Sequence, residues 1–220
     1  MHSTETALLR VVNDIRSGCD SGKIVILVQI DLSSAFDTLD HPTLLARLTQ
    51  YLGISGKALD WFQSYLTNRT QQVITDKGRS SIKTIKFGVA QGSVEGPPLF
   101  KVYIIPLLIL LHNLGVLHHF FADDGQIYIP CFLNDAKMTI ERVQFIYNII
   151  SDWLSKNFLQ INHNKTEVLV LGTPTSLKNF KSKFSTISLG DSVVNISPSA
   201  KNLGVILDET LSFKSQIKSV

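Results

Sequence analysis

The chain has 220 residues with 44% apolar content, enough for one sizeable core, or one core with an attached lobe. Its net charge of +3, from 21 Lys and Arg against 18 Asp and Glu, admits a nucleic-acid partner without arguing for one. Two cysteines, Cys19 and Cys131, form neither a metal-like nor a paired pattern, which argues against a disulfide scaffold, and Met1 to Arg10 lacks the apolar core of a signal peptide.

Thr4 to Ile15 has helical spacing, with Ala7, Leu8, Val11, Val12 and Ile15 on one stripe and Ser3 or Thr4 as cap. After a turn at Asp20–Gly22, Ile24 to Ile30 is a short, β-branched, nearly continuous apolar run, predicted as a central strand buried on both faces. It ends on Asp31. Pro42 to Leu52 and Lys57 to Leu66 are predicted helices, the first stopped by Gly53. Gln71–Thr75 and Ile82–Phe87 are predicted as paired strands around an Asp76–Ser81 turn that exposes Lys77, Gly78 and Arg79. Val102 to Leu111 is almost wholly apolar, broken only by Pro106. It falls short of the ~20 residues of a membrane helix and is predicted as a buried core helix. His118–Ala122 and Gln126–Ile129 are strand-like around Asp123, Asp124 and Gly125, a hairpin-turn signal. Asp135 to Phe158 is predicted as a long amphipathic helix and Val168–Leu171 as a further strand. From Thr173 the chain turns Ser-, Lys- and Asn-rich, with short strands around Ile187 and Val205 and a boundary near Gly172–Ser176. The pattern is α+β with a hairpin in an antiparallel sheet.

Two acidic points stand out: Asp31 at the end of a buried strand and Asp123–Asp124 at a hairpin tip. Carboxylates gathered in one pocket repel unless cations neutralise them, and hard divalent ions beside phosphates suit such a site. By spacing alone, Asp-Asp in a hairpin is also an ordinary turn, and Asp31 an ordinary cap.

The sequence around them is more specific. Asp31-Leu32-Ser33-Ser34-Ala35-Phe36-Asp37-Thr38-Leu39-Asp40-His41 resembles D-L-S-x-A-F-D-x-V-D-H, the first catalytic motif of reverse transcriptases from non-LTR (LINE-type) retrotransposons. Gly88-Val89-Ala90-Gln91-Gly92-Ser93-Val94-Glu95-Gly96-Pro97 resembles their G-V-P-Q-G-S-V-L-G-P segment, and Phe120-Phe121-Ala122-Asp123-Asp124 their Y-A-D-D motif. Asn157-Phe158-Leu159, leading to Asn162, Asn164, Lys165, Thr166 and Glu167, is similar to N-F-L-x-L-N-x-x-K-T-E. Asn202-Leu203-Gly204-Val205 is similar to their N-L-G-V, and residues 2–7 to an H-S-T-E-T-A segment.

The resemblance implies an α+β polymerase palm, an antiparallel sheet with helices packed on one face. Residues 1–172 would be palm and partial fingers, and 173–220 an extension of the palm towards a thumb. It implies a chain cut off at both ends, without thumb or endonuclease domain, as a truncated retrotransposon copy would be. Asp31, Asp123 and Asp124 would hold two Mg²⁺ ions (Mn²⁺ as an alternative), the Leu32 carbonyl assisting, with Lys165 as general acid. Phe36 would lie under the sugar of the incoming nucleotide, Gln91 and Gly92 would touch the template and the incoming base pair, and Leu203 and Gly204 would support the primer end. The implied partners are an RNA template, a DNA primer and deoxynucleoside triphosphates, with no membrane, and the implied location is intracellular, in nucleus or cytoplasm.

Departures from the family pattern favour the alternative of an inactive remnant that at most binds nucleic acid. Glu95 replaces an apolar residue, costly if buried; Ala90 stands for Pro; Pro98 follows Pro97; Gly125 replaces a polar residue; Phe121 stands for Tyr.

Overall fold

The computed structural model describes residues 3–219, so that His2 of the H-S-T-E-T-A segment lies outside them. Helix α1 (Thr4–Asp20) opens on a reciprocal cap: the Thr6 amide donates to Ser3 Oγ at 3.3 Å while the Ser3 amide donates to Thr6 Oγ1 at 2.9 Å. It runs a turn beyond the predicted Ile15 before the chain enters β1 (Ile24–Ile30), whose limits match the apolar run. A two-residue strand β2 (Leu32–Ser33) follows, then α2 (His41–Leu52), capped by Asp40 accepting from the Thr43 amide at 2.9 Å, and α3 (Gly56–Leu66).

Residues 70–84 form an exposed arm. The expected single strand pair is two short ladders, β3 (Thr70–Gln71) with β6 (Lys83–Thr84), and β4 (Ile74–Thr75) with β5 (Gly78–Arg79). Between them Ser80 replaces ladder bonds, accepting from the Val73 amide on its hydroxyl at 3.0 Å and from Gln72 Nε2 on its carbonyl at 2.8 Å.

Helix α4 (Gly96–Asn113) is longer than the predicted Val102–Leu111, because Pro97 and Pro98 occupy a first turn where no amide donor is needed. By length and composition it could cross a membrane; here Leu99, Phe100, Tyr103, Ile104, Leu107 and Leu111 are buried in the core. Strands β7 (Leu117–Phe121) and β8 (Asp124–Cys131) make the expected hairpin, but its two turn residues are Ala122 and Asp123, and Asp124 already pairs with Phe121. Helix α5 (Ala136–Lys156) leads to β9 (Gln160–Ile161), which pairs with β2, and to β10 (Glu167–Leu171). Then come α6 (Pro174–Lys181), β11 (Thr186–Leu189), β12 (Ser192–Ser197), the hairpin β13 (Ser199–Asn202) with β14 (Val205–Asp208), and the short α7 (Lys214–Ser219).

The main sheet has six strands in the order β11-β12-β10-β1-β8-β7. It corrects the expected architecture twice. The sheet is mixed, because β12 runs parallel to β10. A parallel neighbour needs a crossover, and the crossover contains α6, a helix that the Ser- and Lys-rich composition of residues 174–181 concealed. Helices also cover both faces, as the apolar character of β1 requires. Ile24, Ile26, Val28 and Ile30 join α2, α4 and α5 in the larger cluster, whereas Val25 and Leu27 join Val11 and Ile15 of α1 and Ala200 and Leu207 of the β13–β14 hairpin. At about 1.5–3 kcal/mol for each buried aliphatic side chain, both faces hold β1 in register.

Candidate active site

Sheet parity builds the site. β1 pairs with β8 so that Gln29 faces Gln126 and Ile30 faces Gly125, and with β10 so that Gln29 faces Glu167. Side chains alternate along a strand, so Val25, Leu27, Gln29 and Asp31 share one face with Tyr128, Gln126 and Asp124 and with Leu169 and Glu167. The apolar half of that face lies under α1 and the β13–β14 hairpin. The polar half is open, and forms a cleft of about 590 Å³ lined by Gln29, Asp31, Asp124, Gln126, Lys165, Glu167, Leu203 and Gly204.

Asp31 and Asp124 thus meet from strands nearly a hundred residues apart in sequence. Asp123 stands beside them on the turn, where Ala122 takes a left-handed φ of 53° that an alanine adopts only under strain. The carboxyl of Asp124 reaches solvent, yet its pKa is raised, first by the protein packed behind it and then by the charges of Asp123 and Asp31. Lys165, on a 3₁₀ turn, places Nζ 3.6 Å from Asp31 Oδ2. The donors are hard carboxylate oxygens, and the charges of Asp123 and Asp31 add to burial in raising the Asp124 pKa; oxygen donors with like charges close by fit a divalent cation. Among the described residues, however, no three acidic, His or Cys side chains are gathered closely enough to hold one ion.

Other expected residues lie elsewhere. Leu32 belongs to the β2–β9 ladder. Phe36 packs against Phe100 with centroids 5.4 Å apart. Gln91 lines a separate groove with Arg69, Gln71, Lys86 and Phe87, and Gly92 is exposed beside it. The loops holding Phe36 and Gln91 are tied together at Gly88, whose amide donates to the Leu39 carbonyl at 2.8 Å and whose carbonyl lies 2.7 Å from His41 Nε2. A Cβ on Gly88 would stand 2.7 Å from the carbonyl oxygens of both Phe36 and Asp37, and its φ is 83°. Glu95 is not a buried charge: half-exposed, it precedes the first turn of α4, where a negative charge suits the helix dipole. Gly125 leaves room for the Phe120 ring, which a Cβ would meet at 2.5 Å.

Two polar contacts carry weight that motif spacing does not announce. Asn202 Nδ2 donates to Gln126 Oε1, both side chains being buried, and so fixes the Leu203–Gly204 turn beside the acidic hairpin. Arg47, buried on α2, donates to the Tyr103 carbonyl and to Asn157 Oδ1, so the first residue of the Asn157-Phe158-Leu159 segment joins three helices. The first contact leaves a sequence signal, polar residues at alternate positions where apolar strands end; for the second the only signal is a lone Arg among the apolar residues of α2.

The sequence pattern of reverse transcriptase (RNA-dependent DNA polymerase) matches residues 2–207. The chain belongs to the reverse transcriptase family. Relatives of this reverse transcriptase segment include the RNA-directed DNA polymerase from mobile element jockey of Drosophila funebris, 25% identical with all of this chain and 23% of the relative covered. The probable RNA-directed DNA polymerases from transposon X-element and transposon BS of Drosophila melanogaster are 28% and 26% identical, with 100% and 99% of this chain and 23% and 24% of the relatives covered. These are polymerases of non-LTR retrotransposons, and the chain spans about a quarter of their length. In fold it is similar to telomerase from Candida tropicalis, solved with a TWJ fragment of telomeric RNA (TM-score 0.64, 15% identity, covering 96% of this chain and 33% of that one). Telomerase from Candida albicans is also similar (TM-score 0.58, 16% identity, 96% and 36%).

Proposed function

We propose that this reverse transcriptase segment carries the centre for RNA-directed DNA synthesis, the transfer of a nucleotide from a deoxynucleoside triphosphate to a primer 3′-hydroxyl opposite an RNA template. The observation that carries the reading is the β1–β8 register, which sets Asp31 and Asp124 side by side in an open cleft with Lys165 on its rim. Residues 1–172 act as palm and partial fingers, and 173–220 as the palm's extension. Asp31, Asp123 and Asp124, with the Leu32 carbonyl, would hold Mg²⁺ or Mn²⁺. Two such ions, when bound, supply activation of the hydroxyl and neutralisation of the leaving pyrophosphate.

The remaining work falls to side chains. Lys165 holds a proton within reach of the cleft and, released from Asp31, donates it to pyrophosphate as general acid. Phe36, fixed against Phe100, offers a rigid wall against a ribose 2′-hydroxyl. Gln91 and Gly92 contact the template and the incoming base pair; Leu203 and Gly204, held through Asn202, support the primer end. A second reading, a nucleic-acid-binding chain without catalysis, is favoured by the departures from the family pattern beside the site, Gly125 directly after the acidic pair and Ala90 beside Gln91.

Primer extension on an RNA template with Mg²⁺ decides between them. The wild-type chain should incorporate nucleotides, and Asp31→Ala and Asp124→Ala should each lose at least a hundredfold, the scale of removing a principal electrostatic contributor (about 10²–10³). No incorporation by a folded wild type that still binds the template–primer duplex would select the second reading.

A further inference from the structure

The Lys165 ammonium sits on a carboxylate that a cation would need. Its Nζ lies 3.6 Å from Asp31 Oδ2, so a divalent ion held by Asp31 competes with it for the same oxygens, and the like charges repel. The backbone beneath it is fixed: the Asn162 amide donates to the Asp31 carbonyl at 2.8 Å, and the Lys165 amide to the Asn162 carbonyl at 3.1 Å. Only the side chain, 68% exposed, has room to turn. Past the buried Thr166, and lining the same cleft, stands the half-buried Glu167. Among the described residues its carboxylate makes no ion pair and no hydrogen bond, although its backbone is fixed opposite Gln29. Two residues of extended chain span about 6–7 Å, which the flexible Lys165 stem crosses by rotation about its own bonds.

We propose that Glu167 is the second seat of the Lys165 ammonium, taking it up when a divalent cation occupies the Asp31 oxygens, and is thereby a positioning residue for the proton donor. This rests on reading Asp31, Asp123 and Asp124 as holders of that cation. With no such acceptor the displaced ammonium would turn out into solvent; on Glu167 it stays inside the cleft, where an anionic leaving group forms. Glu167 acts through Lys165 and is not itself a ligand of the ion. Lys201, which also lines the cleft and has no ion pair among the described residues, is the competing partner for Glu167.

Zero-length carbodiimide coupling, which joins an amine to a touching carboxyl with loss of water, reads the seat of Lys165 directly by peptide mass spectrometry. The 220-residue chain without divalent ions should give mainly the Lys165–Asp31 link. With Mg²⁺ at about ten times its Kd that link should fall roughly tenfold, as the ion fills the site, and a Lys165–Glu167 link should replace it. NaCl of equal ionic strength should change neither. Glu167→Gln should need roughly two- to fivefold more Mg²⁺ to lose the Asp31 link, the range of an exposed ion pair, and Glu167→Asp should restore both the transfer and the wild-type Mg²⁺ requirement. Loss of the Asp31 link with no Lys165–Glu167 link, or with a Lys201–Glu167 link in its stead, would overturn the proposal. So would an Asp31 link that persists at Mg²⁺ concentrations that raise the melting temperature. Should Mg²⁺ leave both the melting temperature and the Asp31 link unmoved, the acids hold no cation, and the cation reading falls with the proposal that rests on it.

Discussion

Asp124 holds its charge where the fold disfavours it. Its raised pKa, from burial first and then from Asp123 and Asp31, fixes the sign of a pH effect. A group with a folded pKa above its unfolded one contributes relative stability at low pH, lost as pH rises through the folded value. In metal-free buffer at neutral pH, Asp124→Asn should therefore melt higher than the wild type, and the gap should close as pH falls below the carboxylate range. Divalent ions should raise the wild-type melting temperature and move the variant less. A gap independent of pH would mean that the carboxyl carries no such burden. Gly88 is the second residue whose environment leaves little choice. With φ at 83° and two carbonyl oxygens 2.7 Å from any Cβ, Gly88→Ala should cost about 2–4 kcal/mol in urea denaturation. A cost below 1 kcal/mol would show that the Phe36–Asp37 loop yields easily.

At the scale of elements, the acidic hairpin and the β13–β14 hairpin are joined by one buried hydrogen bond, Asn202 to Gln126. Gln126→Leu leaves the Asn202 amide without its partner and should destabilise by about 1–3 kcal/mol, whereas Gln126→Leu/Asn202→Leu should recover much of that loss. Simple additivity of the two single changes would argue that the hairpins are held by Ala200 and Leu207 instead. How far these elements could be read from sequence follows from their physics. β1 was legible to its ends because seven residues of nearly continuous apolar character, interrupted only by Gln29, admit few alternatives. The acidic hairpin was legible as a turn, but the turn is Ala122–Asp123 and not Asp123–Gly125, because Ala122 rather than Gly125 takes the left-handed position, against the preference that makes Asp-Gly the usual signal. Helix α6 was hidden: its apolar stripe amounts to Leu177 and Phe180 in a polar stretch, and only the Thr173 cap with Pro174 marked its start.

For the molecule as a whole, motif order identified the carboxylates but not how they meet. The face shared by Asp31, Asp124 and Glu167 depends on register between β1, β8 and β10, and register is a tertiary property. Phe36 packs on Phe100 and Gln91 lines the groove at Arg69 and Lys86, so neither is among the residues that line the acidic cleft, and the motifs alone do not announce that arrangement.

The central position of β1 has a consequence in time. Its hydrogen-bonding partners on either side, β8 and β10, are made long after it on the ribosome, at residues 124–131 and 167–171. At ~5–20 residues per second, the Ile24–Ile30 segment waits on the order of ten seconds before its second neighbour is synthesised. Until β8 is made it is a bare, β-prone, uncharged strand, and until β10 is made one of its edges stays open, the kind of segment that seeks partners in other chains. Helix α1, complete before β1 emerges, can shelter Val25 and Leu27 but not the opposite face with Ile24, Ile26 and Val28. The pairing that assembles the cleft thus also leaves the nascent chain open to pairing with its neighbours and ties the folding rate to long-range contacts.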